Sequence, residues 1–229
     1  MRKLSLLAAA AFAATAVPAS ATITFGNQTV GQGEEVLLGQ GTTGTSVTGT
    51  TNQTATSITF TSGNTAYCSG CFLQTLSEPS NGQARVETLD GSVLRDLTIT
   101  LTDLSNPLAG FGYIEFNIDE TANLGDASSV TIYALDALGN PFSETVSVGN
   151  GSNFFSALAS GGEVIRGISF NTGDTTGFTD IRQVRITPSI GGVDLPEPST
   201  WAMMLLGFGA CGVAIRRSRR RKALLGQLA

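Results

Sequence analysis

The sequence predicts an all-β protein, most simply an antiparallel two-sheet sandwich of the jelly-roll type. Residues 22–195 contain 24 Gly and 27 Thr, together 51 of 174 positions. Thr favours strands because its Cβ is branched, and Gly supplies turns between them. Apolar residues in this part do not follow the 3.6-residue period of a helix for more than two turns. We therefore expect many short strands and little helix.

The N-terminal segment has the layout of a signal peptide. Met1, Arg2 and Lys3 form a basic start, residues 4–17 are a 14-residue apolar stretch, and Ala19-Ser20-Ala21 follows. The apolar stretch is too short to span a bilayer, and small residues at Ala19 and Ala21 are typical of a signal peptidase site. Residues 1–21 are thus predicted to be removed, with an uncut membrane anchor as the alternative.

Alternation along the chain predicts the strands. In residues 97–102, Leu97, Ile99 and Leu101 should face the core while Thr98, Thr100 and Thr102 face water. Further strands are expected at residues 57–61, 84–89, 113–118, 130–135, 144–148, 164–170 and 183–187. We assign residues 22–55 to a Gly- and Thr-rich N-terminal arm or edge strands, 56–192 to the sandwich, and 193–200 to a linker.

Charge and composition exclude several function classes. Residues 22–195 carry 17 Asp and Glu against five Arg and no Lys, a formal net charge of −12. Such a domain repels nucleic acid and favours cations or neutral polymers. The chain has no His, which excludes Ser-His-Asp and Cys-His catalysis and the usual zinc and iron sites.

The C-terminal segment has the features of a short membrane anchor. Pro196-Glu197-Pro198 precedes residues 201–215, a 15-residue apolar run without charge. A helix of this run is about 22 Å long, short of the ~30 Å hydrocarbon core, with Trp201 placed at the headgroup belt. A basic stop follows at Arg216, Arg217, Arg219, Arg220, Arg221 and Lys222. We therefore predict a single transmembrane helix at 201–215 and a cytoplasmic tail at 216–229.

This combination resembles the PEP-CTERM sorting signal of Gram-negative bacteria, in the variant with a Trp-Ala pair after the motif. The matching residues are Pro196, Glu197, Pro198, Trp201 and Ala202. The resemblance implies processing by exosortase, an integral-membrane cysteine peptidase, and an association with exopolysaccharide and biofilm. The chain would cross the inner membrane, be held there by its C-terminus, and reach the cell surface or the medium after processing. A plain tail anchor is the alternative.

Cys68 and Cys71 form a C-x-x-C motif in a Gly- and Thr-rich loop. In an exported protein we expect a local structural disulfide between them. A redox dithiol would need the first Cys at a helix N-terminus. A zinc site would need further ligands, which the chain lacks outside Cys211 in the apolar run.

An oxygen-rich run could bind calcium, although no other cofactor is expected. Its candidate ligands are Asn117, Asp119, Glu120 and Asp126. Ala122 stands where an EF-hand loop would have Gly, so a solvated turn is the alternative.

The body is expected to be a non-catalytic surface or matrix protein, with polysaccharide binding as one use of it. Four aromatic side chains could stack on sugars or pack in the core: Tyr67, Phe72, Tyr113 and Phe178. The alternative is a secreted glycan hydrolase that uses two of Glu115, Asp119 and Glu120. Neighbouring acids arise by chance in so acidic a chain, which favours the non-catalytic interpretation.

Overall fold

In a computed structural model of the chain, strands are the dominant secondary structure. The structure describes residues 22–26, 33–39, 41–68, 70–79, 82–120, 127–172, 176–190, 204, 206–209 and 211. The strands are β1 (Thr22–Gly26), β2 (Glu34–Leu38), β3 (Thr43–Gly44), β4 (Ser46–Thr51), β5 (Ser57–Thr61), β6 (Leu76–Ser77), β7 (Gly82–Gln83), β8 (Arg85–Thr88), β9 (Asp96–Leu101), β10 (Ala109–Glu120), β11 (Ser129–Leu135), β12 (Pro141–Ser147), β13 (Gly151–Ser160), β14 (Gly167–Asn171) and β15 (Asp180–Ile190).

All the strand pairs are antiparallel, and they form one 15-stranded sheet. Its main order is β1-β13-β10-β15-β2-β4-β5-β9-β14-β11-β12, and β3, β6, β7 and β8 attach beside this path. Glu34 and Glu35 of β2 pair with β15, and Val36 and Leu37 pair with β4. The all-β antiparallel prediction is confirmed. The division into two sheets is not, because β2 hydrogen-bonds to strands on both sides and so joins them.

The N-terminal part of the domain is built into the sheet. Residues 22–55 contain β1 to β4. β1 lies at one end of the main strand order, whereas β2 and β4 lie inside it. Val36 and Leu38 are apolar residues in a segment rich in Gly, Thr and Gln, and their side chains are only 0% and 4% exposed. This segment therefore contributes to the core.

Aromatic side chains occupy the centre of the core. Phe116 of β10 lies 6.1 Å from Phe155 of β13 and 6.4 Å from Phe170 of β14, between ring centroids. Phe170 contacts Phe178 edge to face at 5.8 Å. Such aromatic pairs add about 0.5–1.5 kcal/mol each to the free energy gained by burial. The four rings therefore hold distant parts of the sheet against one another.

A β-bulge in β15 keeps its apolar residues pointing inwards. Arg185 pairs with Glu115 and Arg182 with Asn117, so three steps along β15 match two along β10. Gln183 has φ of 53°, a left-handed conformation that a bulge can impose on a non-glycine residue. Ile181 and Val184 are both fully buried as a result, which strict alternation would not allow.

Next to the bulge, one buried carboxylate joins three strands. Asp180 is fully buried and accepts hydrogen bonds from Arg85 Nε at 2.9 Å and from Arg182 Nε at 2.7 Å. The terminal nitrogen of Arg182 reaches both Asp180 and Asp119 at 2.6 Å. This ion cluster thereby links β8, β15 and β10. A buried carboxylate needs such complete pairing to offset the loss of its hydration.

The chain divides into a unit of Ser20–Val193 and a unit of Met1–Ala19 with Asp194–Ala229. In the second unit the described residues Met204, Leu206, Gly207, Phe208, Gly209 and Cys211 are helical. Within the described residues, no helix has both the length and the apolar composition required to cross a membrane. Most of the predicted span at 201–215 lies outside the part of the chain that the structure describes.

We expect the substitution Asp180→Asn to destabilise the domain by about 3 kcal/mol, the lower end of the range for breaking a buried ion pair, since both arginines partly reach solvent. The matched control is Glu87→Gln, which removes the more exposed Arg85–Glu87 ion pair at 3.2 Å and should cost less than about 1 kcal/mol. Urea unfolding of the two variants measures both effects. Equal destabilisation would contradict the central role given to Asp180.

Candidate functional site

A long connection between β5 and β6 covers part of the outer face of the sheet, over β9 and β14. We call the described residues of this connection, 62–68 and 70–75, the strap. Its Thr65 hydroxyl lies 3.0 Å from that of Thr98 in β9, and the Ser169 hydroxyl of β14 donates to the Tyr67 carbonyl at 2.6 Å. The Phe72 amide donates to Asp96 at 2.7 Å. The strap is therefore attached to β9 and β14 through polar side chains of those strands.

The strap corrects one prediction from the sequence. Thr98 was expected to face water, but it is 2% exposed. Thr98 does lie on the face opposite to Leu97 and Ile99, as alternation requires. That face is covered at this point because the strap crosses it.

Cys68 and Cys71 are joined by a disulfide within the strap, as predicted, with their Cα atoms 5.8 Å apart. Both cysteines are buried, and Cys68 forms a β-bridge with Thr65. The described residues around Cys68 are not helical, so the helix N-terminus that a redox dithiol needs is missing there. Cys211 is free and exposed. The disulfide fixes the turn that follows Tyr67.

Asp96 is a buried carboxyl at the contact between the strap and the sheet. It is 1% exposed, and its Oδ1 atom makes no hydrogen bond among the described residues. Burial raises the pKa of Asp96, while the amides of Phe72 and Gly63 and the charge of Arg95 oppose the shift. Arg95 also covers the ring of Phe72, with 5.0 Å from its guanidinium carbon to the ring centroid. The Asp96 carboxyl thus anchors the strap through the Phe72 amide, and its burial favours the protonated form of this carboxyl.

Beside the strap lies a groove with a volume of about 260 Å³. Tyr67 and Cys68 of the strap form one side, and Tyr133 of β11 and Pro141 of β12 form another. Burial raises the pKa of the Tyr67 hydroxyl, and the nearby Arg166 opposes this shift. The groove combines two aromatic rings with hydroxyl and amide groups, which is the composition of many small-molecule sites.

The four aromatic candidates from the sequence lie in different places. Phe178 is 1% exposed in the core, and the Tyr113 hydroxyl donates to Glu115 at 2.5 Å. Phe72 stacks under Arg95, and Tyr67 lines the groove. Tyr133 was missed. Alternation could have identified it, because Val130, Ile132 and Ala134 are buried in the same strand and so leave Tyr133 facing outwards.

Two of the three carboxylates proposed for hydrolysis, Glu115 and Asp119, lie far apart along β10, and the side chain of Glu120 lies outside the described residues. Glu115 and Asp119 lie on one face of β10, four residues apart, which places their Cα atoms roughly 13 Å from each other at about 3.3 Å per residue. Glycosidase carboxyl pairs are about 5 Å or about 6.5–9.5 Å apart. Glu115 is 1% exposed and bonded to Tyr113, and Asp119 is paired with Arg182.

Two of the calcium candidates are described with their side chains. The Asn117 amide nitrogen donates to the Gln183 side chain at 3.0 Å, whereas its Oδ1 atom is buried without a hydrogen-bond partner among the described residues. Asp119 pairs with Arg182 at 2.6 Å. Among the described residues, no group of three or more acidic, Cys or His side chains could hold a metal. The side chain of Glu120 and all of Asp126 lie outside the described residues. Calcium binding after β10 stays a prediction.

Asp96→Asn should stabilise the domain as the pH rises. The folded-state pKa of Asp96 is raised, so its contribution to stability is complete below the unfolded-state pKa and is lost as the pH rises through the folded-state value. Asn keeps an acceptor for the Phe72 amide and has no charge to desolvate. The unfolding free energy of the variant relative to wild type should therefore increase as the pH rises above the unfolded-state pKa of about 4, until the folded-state carboxyl has lost its proton.

Asp103→Asn is the matched control with the opposite sign. Hydrogen bonds from Ser105 lower the pKa of the exposed Asp103, so this carboxylate stabilises the fold above its unfolded-state pKa, and the benefit disappears as the pH falls. Asp103→Asn should lose stability at neutral pH and match wild type in acid. Asp96→Asn would contradict the assignment of a buried, costly carboxylate if it were destabilised at neutral pH.

The predicted sorting and processing residues lie outside the described part of the chain: Ala19, Ala21, Pro196, Glu197, Pro198, Trp201, Ala202, Arg216, Arg217, Arg219, Arg220, Arg221 and Lys222.

Comparison with known families tests the C-terminal part of these predictions. Residues 194–221 match a family model described as the PEP-CTERM protein-sorting motif. No curated protein and no solved structure matches the chain. This motif is a signal for exosortase processing and implies export and C-terminal membrane anchoring before processing. The chain therefore carries a PEP-CTERM sorting signal behind its β domain.

Proposed function

We propose that this chain is a non-catalytic protein of the cell surface or extracellular matrix that binds polysaccharide after exosortase has released it. The observation that carries the proposal is the PEP-CTERM match at residues 194–221, which supports delivery to the outside. Signal peptidase would first remove residues 1–21. The proposed final location of the protein, at the cell surface or in a biofilm matrix, is based on its resemblance to other exosortase substrates.

The contacts of four acidic residues support a non-catalytic role for the β domain. Asp180, Asp119 and Glu35 are each paired with an arginine within 2.9 Å. Glu115 is buried against Tyr113. A general acid or a nucleophile has to reach the substrate in a cleft, and these carboxylates are instead used within the fold. The secreted glycan hydrolase is the second candidate.

Polysaccharide binding is supported by the groove between Tyr67 and Tyr133, together with an acidic domain that disfavours phosphate-rich polymers. A two-layer, jelly-roll-like arrangement belongs to the same proposal. It is supported by the contact between Phe116 of β10 and Phe170 of β14, which are in separate parts of the strand order.

The first experiment tests processing. In a host that contains exosortase, a C-terminal epitope should be lost from the chain and the body released, and both should stop in a strain without exosortase. Replacing Pro196 and Pro198 by Ala should give the same block. The control is Ser199→Ala, directly after the motif and outside its named residues, which should process normally. An epitope that is retained indefinitely in the exosortase host would contradict the proposal.

The second experiment separates binding from hydrolysis. Purified full-length chain should be retained on immobilised polysaccharide and should release no reducing ends from it. Glu144 is at an exposed position of β12, so Glu144→Gln is the control. The hydrolase would be established instead if the chain released reducing ends, if Glu115→Gln abolished this release and if Glu144→Gln left it intact. Lack of retention on every polysaccharide offered would contradict the binding role.

A further inference from the structure

We propose that the groove between Tyr67 and Tyr133 binds a ring of a neutral polysaccharide, with the two tyrosine side chains as its walls. The inference rests on the proposed polysaccharide-binding function and assigns it a site and a ligand class. The groove holds about 260 Å³, equal to roughly nine water molecules at about 30 Å³ each. This is the scale of one sugar ring rather than of an extended peptide segment.

The Tyr67 wall is rigid. Its ring packs against the backbone of Gly167, where an added Cβ would lie 2.5–2.8 Å from three ring carbons. Glycine at this position therefore allows the ring to lie flat against β14. The Tyr67 carbonyl accepts from Ser169, its amide donates to the Thr65 hydroxyl at 3.1 Å, and the disulfide begins at the next residue. A wall that is fixed before binding loses little entropy when a ligand arrives.

Tyr133 is the accessible wall. Its side chain is on the outer face of β11 and is 37% exposed. Its neighbours across the sheet are Ser143 of β12 and Ser169 of β14. Both serine side chains are short, so they leave part of the tyrosine ring accessible. Aromatic side chains offer a large apolar face with a polar hydroxyl at one end, which suits a ring that has C–H groups on its faces and hydroxyls at its edge.

The lining of the groove favours a neutral ligand. Its residues are Ala, Tyr, Cys, Leu, Pro and Asn, without an acidic or basic side chain. Arg166, which interacts with Tyr67, donates to the carbonyls of Asn106 and Ala109 at 2.5 Å and 2.6 Å, so its hydrogen bonds are used within the protein. Residues 22–195 have a formal charge of −12, which repels anionic polymers. The Tyr133 hydroxyl and the Asn171 side chain, whose amide nitrogen also donates to Cys71 Sγ at 3.7 Å, supply the polar groups that would orient a sugar.

The test compares variants of the full-length chain on immobilised neutral polysaccharides (dextran, cellulose, galactan and mannan), on anionic alginate and polygalacturonate, and on a polyproline peptide. Wild type should be retained by a neutral polymer. Tyr133→Ala should bind it at least about tenfold more weakly, equal to about 1.4 kcal/mol, and Tyr133→Phe should stay within about threefold of wild type. The control Leu138→Ala, 84% exposed in the turn after β11, should not change retention. Thermal unfolding confirms that each variant is folded.

Different failures are distinguishable. If wild type binds a neutral polysaccharide and Tyr133→Ala binds equally well, the groove is not the site, although the proposed function stands. If Tyr133→Ala loses binding to alginate or to polyproline while neutral polymers are not bound, the ligand class is wrong. If wild type binds none of the probes, the proposed function fails together with this inference.

Discussion

The outer face of β9 and β14 carries polar side chains that are buried, so another part of the chain has to cover them and supply hydrogen-bond partners. The position of the groove depends on this covering segment. Asp96, Thr98 and Ser169 point away from the core, yet each is at most 2% exposed. A buried polar group without a partner costs about 1–3 kcal/mol. The strap supplies partners with its own backbone and with Thr65. The same contacts set the position of Tyr67 and therefore the shape of the groove.

The sheet beneath the strap is a rigid support. β2 pairs with β15 on one side and with β4 on the other. The bulge at Gln183 keeps the apolar residues of β15 facing the core. Asp180 links β15 to β8 through Arg85. Asp180 is a charged side chain inside the fold, and pairing with two arginines offsets the cost of burying it. Binding sites built on strands are held more precisely than sites on free loops.

Local patterns were enough to predict part of this fold. Alternating apolar residues identified β9 and β10 and placed Ile99 and Phe116 in the core. β13 was missed because its sequence, GSNFFSALAS, has no β-branched residue. Its pairing with β1 and β10 overrides the weak propensity. The burial of Thr98 depends on the path of the strap, which no periodic pattern encodes, whereas alternation along β11 is enough to place Tyr133 on the outer face. The sorting motif, by contrast, is a contiguous signal and could be identified directly.

Delivery and the proposed binding involve separate segments: the PEP-CTERM signal implies export and exosortase processing, and the strap, β11 and β12 line the groove. The docking of the strap is the central physical claim, and hydrogen exchange measures it most directly. The Phe72 amide, which donates to Asp96, should exchange as slowly as the amides of β9. Exchange as fast as in the exposed turn at Leu138, with β9 and β14 still protected, would contradict the account.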